Sequence, residues 1–190
     1  MYEVELKFPA RDLAALEQKL VGLAARFGDP IDQIDRYFAH PTRDFAKTDE
    51  ALRLRRVGAD VAITWKGPRI DSSTKTRREI ELPLAVVGPA GSRTLQDWTE
   101  LLESLGFRQV MEVAKRRRPA RVPWHGSEVD VALDRVEGLG EFVELEVQAR
   151  QGELPQARGV IESLATELGC GEQERRSYLE LLLAKRPIAR

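Results

Sequence analysis

The residues able to do chemistry in this chain are charged side chains that recur at every second position. Glu3, Glu5 and Lys7 alternate with Val4, Leu6 and Phe8, and the same pattern returns in several later stretches. Successive side chains of a β-strand point to opposite faces, so each run places its charges on one face and its apolar residues on the other. The charged faces are Glu3/Glu5/Lys7, Arg53/Arg55, Lys66, Arg77/Glu79/Glu81, Lys115/Arg117, Asp130/Asp134 and Glu144/Glu146. Their apolar backs are Leu52/Leu54, Ile63/Trp65, Ile80/Leu82, Val129/Val131/Leu133 and Val143/Leu145/Val147.

Two readings are open. In one, a sheet carries a solvated outer face laced by cross-strand ion pairs. In the other, the sheet curls so that its charged faces meet inside while helices cover the apolar outside. Burying so many charges is costly unless a ligand neutralises them. Lys and Arg from several strands would then surround a polyanion. Clustered carboxylates would hold a hard divalent cation such as Mg²⁺ or Mn²⁺ bridging its oxygens. Thr, Ser and Gln, the usual occupants of a solvated face, are scarce at these positions. The pattern points to a phosphate-and-metal site without naming a reaction.

Composition narrows the field. At 190 residues the chain can bury a real core. Its 30 basic and 31 acidic side chains nearly cancel, which argues against nonspecific coating of nucleic acid or an anionic membrane. Low aromatic content argues against a base-stacking platform. Cys170 has no partner for an intramolecular disulfide, and His40 and His125 are the only histidines, which disfavours zinc chemistry. There is no apolar run long enough to span a bilayer, and a strand starts almost at once, so the expected setting is soluble, reducing and cytoplasmic.

The elements that must position these charges follow in order. After the first strand, ended by Pro9, Asp12 caps a helix predicted to run to about Phe27. Strands are predicted at Ile31 to Phe38, Ala51 to Val57, Val61 to Lys66 and Thr76 to Leu82, the second and third of these as a hairpin. A polar loop with a short helix spans His40 to Glu50, and another polar loop spans Arg69 to Lys75. A helix from about Thr94 to Leu105 is predicted to bury Leu95, Trp98, Leu101, Leu102 and Leu105. Strands at Val110 to Val122, Glu128 to Val136 and Glu141 to Gln148 follow, then helices at about Pro155 to Leu168 and Glu174 to Leu183. With about eight strands and four helices and no βαβ alternation, the class is α+β with a mostly antiparallel sheet. Arg56 and Arg118 fall on the opposite parity and read as surface charges; Asp130 shares the charged face without an assigned role. His40, His125, Cys170, Trp65 and Trp98 read as loop or packing residues, and Gly138-Leu139-Gly140 precedes a strand, so it is no phosphate loop.

Glu3-Val4-Glu5-Leu6-Lys7 resembles the Glu-x-Glu-x-Lys signature of the CYTH superfamily, the triphosphate tunnel metalloenzymes. Arg53-x-Arg55, Lys66-Gly67-Pro68, Arg77-x-Glu79, Lys115-x-Arg117, Asp134 and Glu144-x-Glu146 follow in that family's order. Asp35-Arg36-Tyr37-Phe38, Leu133-Asp134, Gly138 to Phe142 and Arg176-Ser177-Tyr178 look most like the class IV adenylate cyclase branch. The resemblance implies one CYTH domain over residues 1–183 with a 184–190 tail, built as an eight-stranded antiparallel β-barrel or tunnel with helices packed outside. It implies conversion of ATP to 3′,5′-cyclic AMP and pyrophosphate with Mg²⁺ or Mn²⁺. The alternatives are a metal-dependent triphosphatase and a noncatalytic polyphosphate or nucleotide binder. By the same resemblance Glu3, Glu5, Asp134, Glu144 and Glu146 are metal ligands, and Lys7, Arg53, Arg55, Lys66, Arg77, Glu79, Lys115 and Arg117 bind the triphosphate, with Glu5, Glu144 and Lys115 catalytic. The expected partner is a nucleoside triphosphate or other triphosphate; a homodimer is compatible, though no residue commits to it.

Overall fold

The first strand, β1 (Tyr2–Pro9), is buried on both faces. Val4, Leu6 and Phe8 enter an apolar core on one side, while on the other Lys7 is 0% exposed. The computed structural model, which describes residues 2–70, 76–85 and 92–186, therefore favours inward-turned charges over a solvated charged face. Asp35, Arg53, Lys115 and Asp134 are buried as well.

The remaining elements are α1 (Leu13–Gly22), β2 (Arg26–Phe27), β3 (Ile31–Ala39), α2 (Phe45–Thr48), β4 (Ala51–Val57), β5 (Asp60–Arg69) and β6 (Arg77–Leu84). Then come α3 (Ser92–Ser104), β7 (Arg108–Trp124), β8 (Ser127–Val136), β9 (Gly140–Ala149), α4 (Leu154–Leu168) and α5 (Tyr178–Lys185). Strand pairing follows the order β2-β7-β3-β4-β5-β6-β1-β9-β8, and β7 also pairs with β8. The hydrogen-bonding order of the eight long strands thus closes on itself, which is the topology of an antiparallel β-barrel.

The chain divides into two compact units. The first comprises Met1–Pro30, Arg69–Arg78 and Arg116–Arg175. Here α4 lies over β1 and β9, and Ile161, Leu164 and Leu168 meet Val4, Leu145 and Val143 in one core, with Cys170 packed at its edge. Gly169, at φ 70, ends α4 in the left-handed conformation that suits glycine. The second unit comprises Ile31–Pro68, Glu79–Lys115 and Arg176–Arg190. Its core gathers Phe38, Leu54, Val61, Leu95 and Leu102, with Trp98 packed against them.

Several elements differ from the sequence reading. Helix α1 is capped by Asp12 but ends at Gly22; Ala24 turns at φ 59, and Arg26–Phe27 pairs with β7 as a short strand. Leu23 and Phe27 keep helical spacing but pack on the core from a turn and a strand. Leu101 on α3 and Leu105 just past its end are 46% and 61% exposed, because Leu95 and Leu102 already cover the second unit's core. On β6, Ile80 and Leu82 are 40% and 57% exposed, so the apolar back of that strand faces out. Helix α5 begins only at Tyr178, where Ser177 and Glu180 form a capping box. The polar loop beyond Ile70 and the connector after Ala85 fall largely outside the described residues.

Candidate active site

In the first unit, strand register does the gathering. Glu5 pairs opposite Glu146, Lys7 opposite Glu144, and Glu3 opposite Gln148. Like charges directly opposite on neighbouring strands repel. Burial, reinforced by Glu3 and Glu5, pushes the Glu146 carboxyl up to about 8, while the Gln148 amide donates to Glu146 Oε1 at 2.7 Å. A carboxyl kept protonated chiefly by burial, and further by two acidic neighbours, sits where a cation could take the proton's place. The donor set suits a divalent metal in chemistry, since carboxylate oxygens are the ligands hard cations prefer. Among the described residues no three His, Cys, Asp or Glu side chains form a ready-made cage. A cation held by one or two of these carboxylates would complete its shell with water or substrate oxygens, the usual habit of Mg²⁺.

Arg117 lies across the neighbouring level. Its Nε and Nη2 donate to Asp134 Oδ1 and Oδ2 at 2.7 and 2.6 Å, and Nη2 also pairs with Glu144. The Asp134 side chain is 0% exposed, so this expected metal ligand here serves as the two-armed partner of an expected phosphate ligand. The Lys7 ammonium sits 5.7 Å from the Phe142 ring centroid. A cavity of about 390 Å³ opens beside Arg117, Glu144 and Glu146, bordered by Phe27, Arg121 and Asp130. Asp130 accepts from Arg121 Nε at 3.1 Å near the surface.

In the second unit, Asp35 stands opposite Arg55 and Tyr37 opposite Arg53 on β3 and β4. Arg55 Nε and Nη2 donate to the two Asp35 oxygens at 2.7 and 2.8 Å, and Arg53 Nη1 lies 3.6 Å from Asp35 Oδ2. Burial alone would raise the Asp35 carboxyl, but Arg53 and Arg55 outweigh it and hold the group well below the usual carboxylate range. Arg53 Nη2 lies 3.5 Å from Glu79, and Lys66 Nζ lies 2.8 Å from the same carboxylate. Glu81 accepts from Thr64 Oγ1 at 2.8 Å. The Lys115 ammonium sits 5.0 Å from the Tyr178 ring centroid, and both residues are buried. Arg53, Arg55, Lys66 and Lys115 thus concentrate four cations in this unit, against the carboxylates of Asp35, Glu79 and Glu81.

The structure therefore groups Glu3, Glu5, Lys7, Arg117, Asp134, Glu144 and Glu146 in the first unit and Arg53, Arg55, Lys66, Glu79 and Lys115 in the second. Arg77, half-buried, pairs with Glu3 across β1 and β6. Asp35 and Tyr37 entered the sequence reading only within a branch resemblance, with no site role, and Thr64 had none either; each is buried beside the arginines. Their signal was parity: Gln33, Asp35 and Tyr37 share one face of β3, but a single charge did not mark that face. Arg118 is not a free surface charge: it pairs with Glu17 at 3.2 Å, covers the Phe27 ring at 4.9 Å, and buries its Nε. Trp65 donates to Glu50 at 3.1 Å, and His40 Nδ1 accepts from Thr42 and Arg43 within its loop, so both have structural partners.

The strand order closes on itself, and each unit buries acidic and basic side chains together. The CYTH domain profile matches residues 1–178, and the chain belongs to that family. A relative from Methanocaldococcus jannaschii, provisionally named an adenylate cyclase, is 32% identical over 186 residues, covering 95% of this chain and 98% of its own. The adenylate cyclase CyaB of Aeromonas hydrophila is 30% identical over 188 residues, covering 95% of this chain and 88% of its own. Among solved structures, the PH1819 protein of Pyrococcus horikoshii superposes with a TM-score of 0.83 at 42% identity, covering 97% of this chain and 99% of that one.

Proposed function

We propose that this protein is a class IV adenylate cyclase-type enzyme that converts ATP to 3′,5′-cyclic AMP and pyrophosphate with Mg²⁺ or Mn²⁺ in the cytoplasm. The observation that carries the reading is the burial of opposite charges in quantity, with Lys7 and Asp134 at 0% and Arg53 and Lys115 at 7% exposure. Buried ions on this scale are a poor stabilising device but a suitable receptor for a triphosphate. The two relatives named for cyclase activity supply the reaction.

In this reading one or two of the carboxylates of Glu3, Glu5, Glu144 and Glu146 would hold the metal, with Asp134 placed beside Glu144 through Arg117. Bound there, a divalent cation supplies Lewis acidity that lowers the pKa of the ribose 3′-hydroxyl. Lys7, Arg53, Arg55, Lys66, Arg77 and Arg117 grip the triphosphate and fix the α-phosphorus against that hydroxyl, with Glu79 orienting Lys66 and Arg53. Lys115 stabilises the charge that develops on the leaving pyrophosphate.

Product analysis with ATP, tripolyphosphate and thiamine triphosphate, each with Mg²⁺ or Mn²⁺, tests this directly. Cyclic AMP and pyrophosphate should form from ATP, and Glu5→Gln should lower turnover by about 100-fold or more. Orthophosphate released without cyclic AMP would make the protein a triphosphatase, and tight binding with no product in any assay would make it a noncatalytic receptor.

A further inference from the structure

We infer that Asp35 is a positioning residue of the triphosphate site, a buried carboxylate that aims Arg55 and Arg53 at the anion rather than merely balancing their charge. The inference rests on the triphosphate-binding reading and adds to it a residue that the acidic and basic signatures did not include.

Geometry supports the assignment. Asp35 and Arg55 are register partners on adjacent strands, and the guanidinium meets the carboxylate with two hydrogen bonds, at 2.7 and 2.8 Å. Such a two-armed pair fixes the guanidinium plane as well as its position. The Asp35 side chain is only 3% exposed, against 17% for Arg55, so the acid lies on the closed side of the pair and the base on the open side. The same carboxylate approaches Arg53 at 3.6 Å. Arg53 is also 3.5 Å from Glu79 and donates a hydrogen bond to the Tyr37 oxygen, yet its Nε is buried with no hydrogen-bond partner among the described residues. A guanidinium held on one side and left with an unmet donor is set up to receive a further acceptor, as phosphate oxygens are. The first unit repeats the device, with fully buried Asp134 holding Arg117 in the same two-armed way.

Charge and position make opposite predictions for one substitution. If Asp35 acted only through its field, Asp35→Asn would remove a negative charge near an anion site and tighten binding. If it positions the arginines, the same substitution weakens binding although the site becomes more positive. The experiment is calorimetric titration of tripolyphosphate into wild-type and Asp35→Asn protein in EDTA, so that no metal enters, with thermal melts to establish folding. The expected result is binding weaker by on the order of tenfold in Asp35→Asn, accompanied in turnover assays by a raised KM with little change in kcat. Equal or tighter binding by folded Asp35→Asn would overturn the positioning role.

Should Asp35→Asn not fold, Asp35→Glu decides, because glutamate keeps the charge but moves the carboxylate by one methylene out of the two-armed geometry. Weaker tripolyphosphate binding by Asp35→Glu supports the inference, and unchanged binding overturns it. Wild-type protein that fails to bind tripolyphosphate would remove the triphosphate reading itself, and the positioning role with it. Wild-type binding matched by Asp35→Asn would remove the positioning role alone.

Discussion

Glu146 sits in an unusual environment for a carboxylate, largely buried beside Glu3 and Glu5. Its folded-state value near 8 lies above the ordinary 4.5 that it resumes when unfolded. Between those values the folded protein keeps a proton that the unfolded chain has released, so stability falls as pH rises through the window, by up to about 1.4 kcal/mol per pH unit. In EDTA the melting temperature should drop from pH 5 to pH 8, and Glu146→Gln should flatten that slope. An identical slope in both proteins would show that the proton is held elsewhere. Asp35 works in the opposite direction: its depressed value adds stability that is fully present above the ordinary carboxylate range and lost as pH falls below it, outside the Glu146 window. Asp134 offers a separate test. Asp134→Ala leaves the half-buried Arg117 with Glu144 alone in place of its two-armed partner, so urea unfolding should show a loss of about 1–3 kcal/mol. Replacing both partners by apolar residues of similar volume should lose much less.

At the scale of elements, the helices are held by their apolar faces. Ile161, 0% exposed on α4, fills the first unit's core, so Ile161→Ala should cost about 2–5 kcal/mol in denaturant unfolding. Leu105 follows the same helical spacing just past the end of α3 but is 61% exposed, and Leu105→Ser should change stability by less than about 0.5 kcal/mol. Equal losses would contradict the observed packing. These two aliphatic positions show what was legible in sequence and what was not. Alternation identified β1, β4, β8 and β9 because each strand has one face on a core and one turned to the charged interior. Helical spacing found α3 and α4 but could not say how wide a stripe the core would cover. It also carried α1 past Gly22, since nothing local distinguishes Ala24 as a residue that adopts φ 59. Asp35 was quoted in the branch resemblance but given no site role, because its importance comes from Arg55 opposite it, a long-range pairing that one strand's pattern does not contain.

For the whole molecule, charge is nearly balanced in sum and sharply segregated in place. With 30 basic and 31 acidic side chains there is little net field to draw in nucleic acid, yet the buried cations concentrate positive potential locally. Tripolyphosphate at about 100 times its dissociation constant should stabilise the protein by about 2.7 kcal/mol, seen as a melting temperature several degrees higher. Because the cations are buried, that shift should survive 0.15 M salt, where the Debye length is about 8 Å; a shift abolished by such salt would point to surface binding. Among the described residues no helix is long and apolar enough to cross a membrane.

Cys170, at the edge of the first unit's core, carries one last consequence. Burial pushes its thiol up to about 11, with Lys19 only partly opposing the effect. At pH 8 roughly one such thiol in a thousand is ionised, so the native sulfur is a slow nucleophile. As the chain's only cysteine, partly exposed in the fold, it makes a built-in reporter: its rate of modification by a thiol reagent follows the surroundings of the corner after α4, without any label having to be introduced.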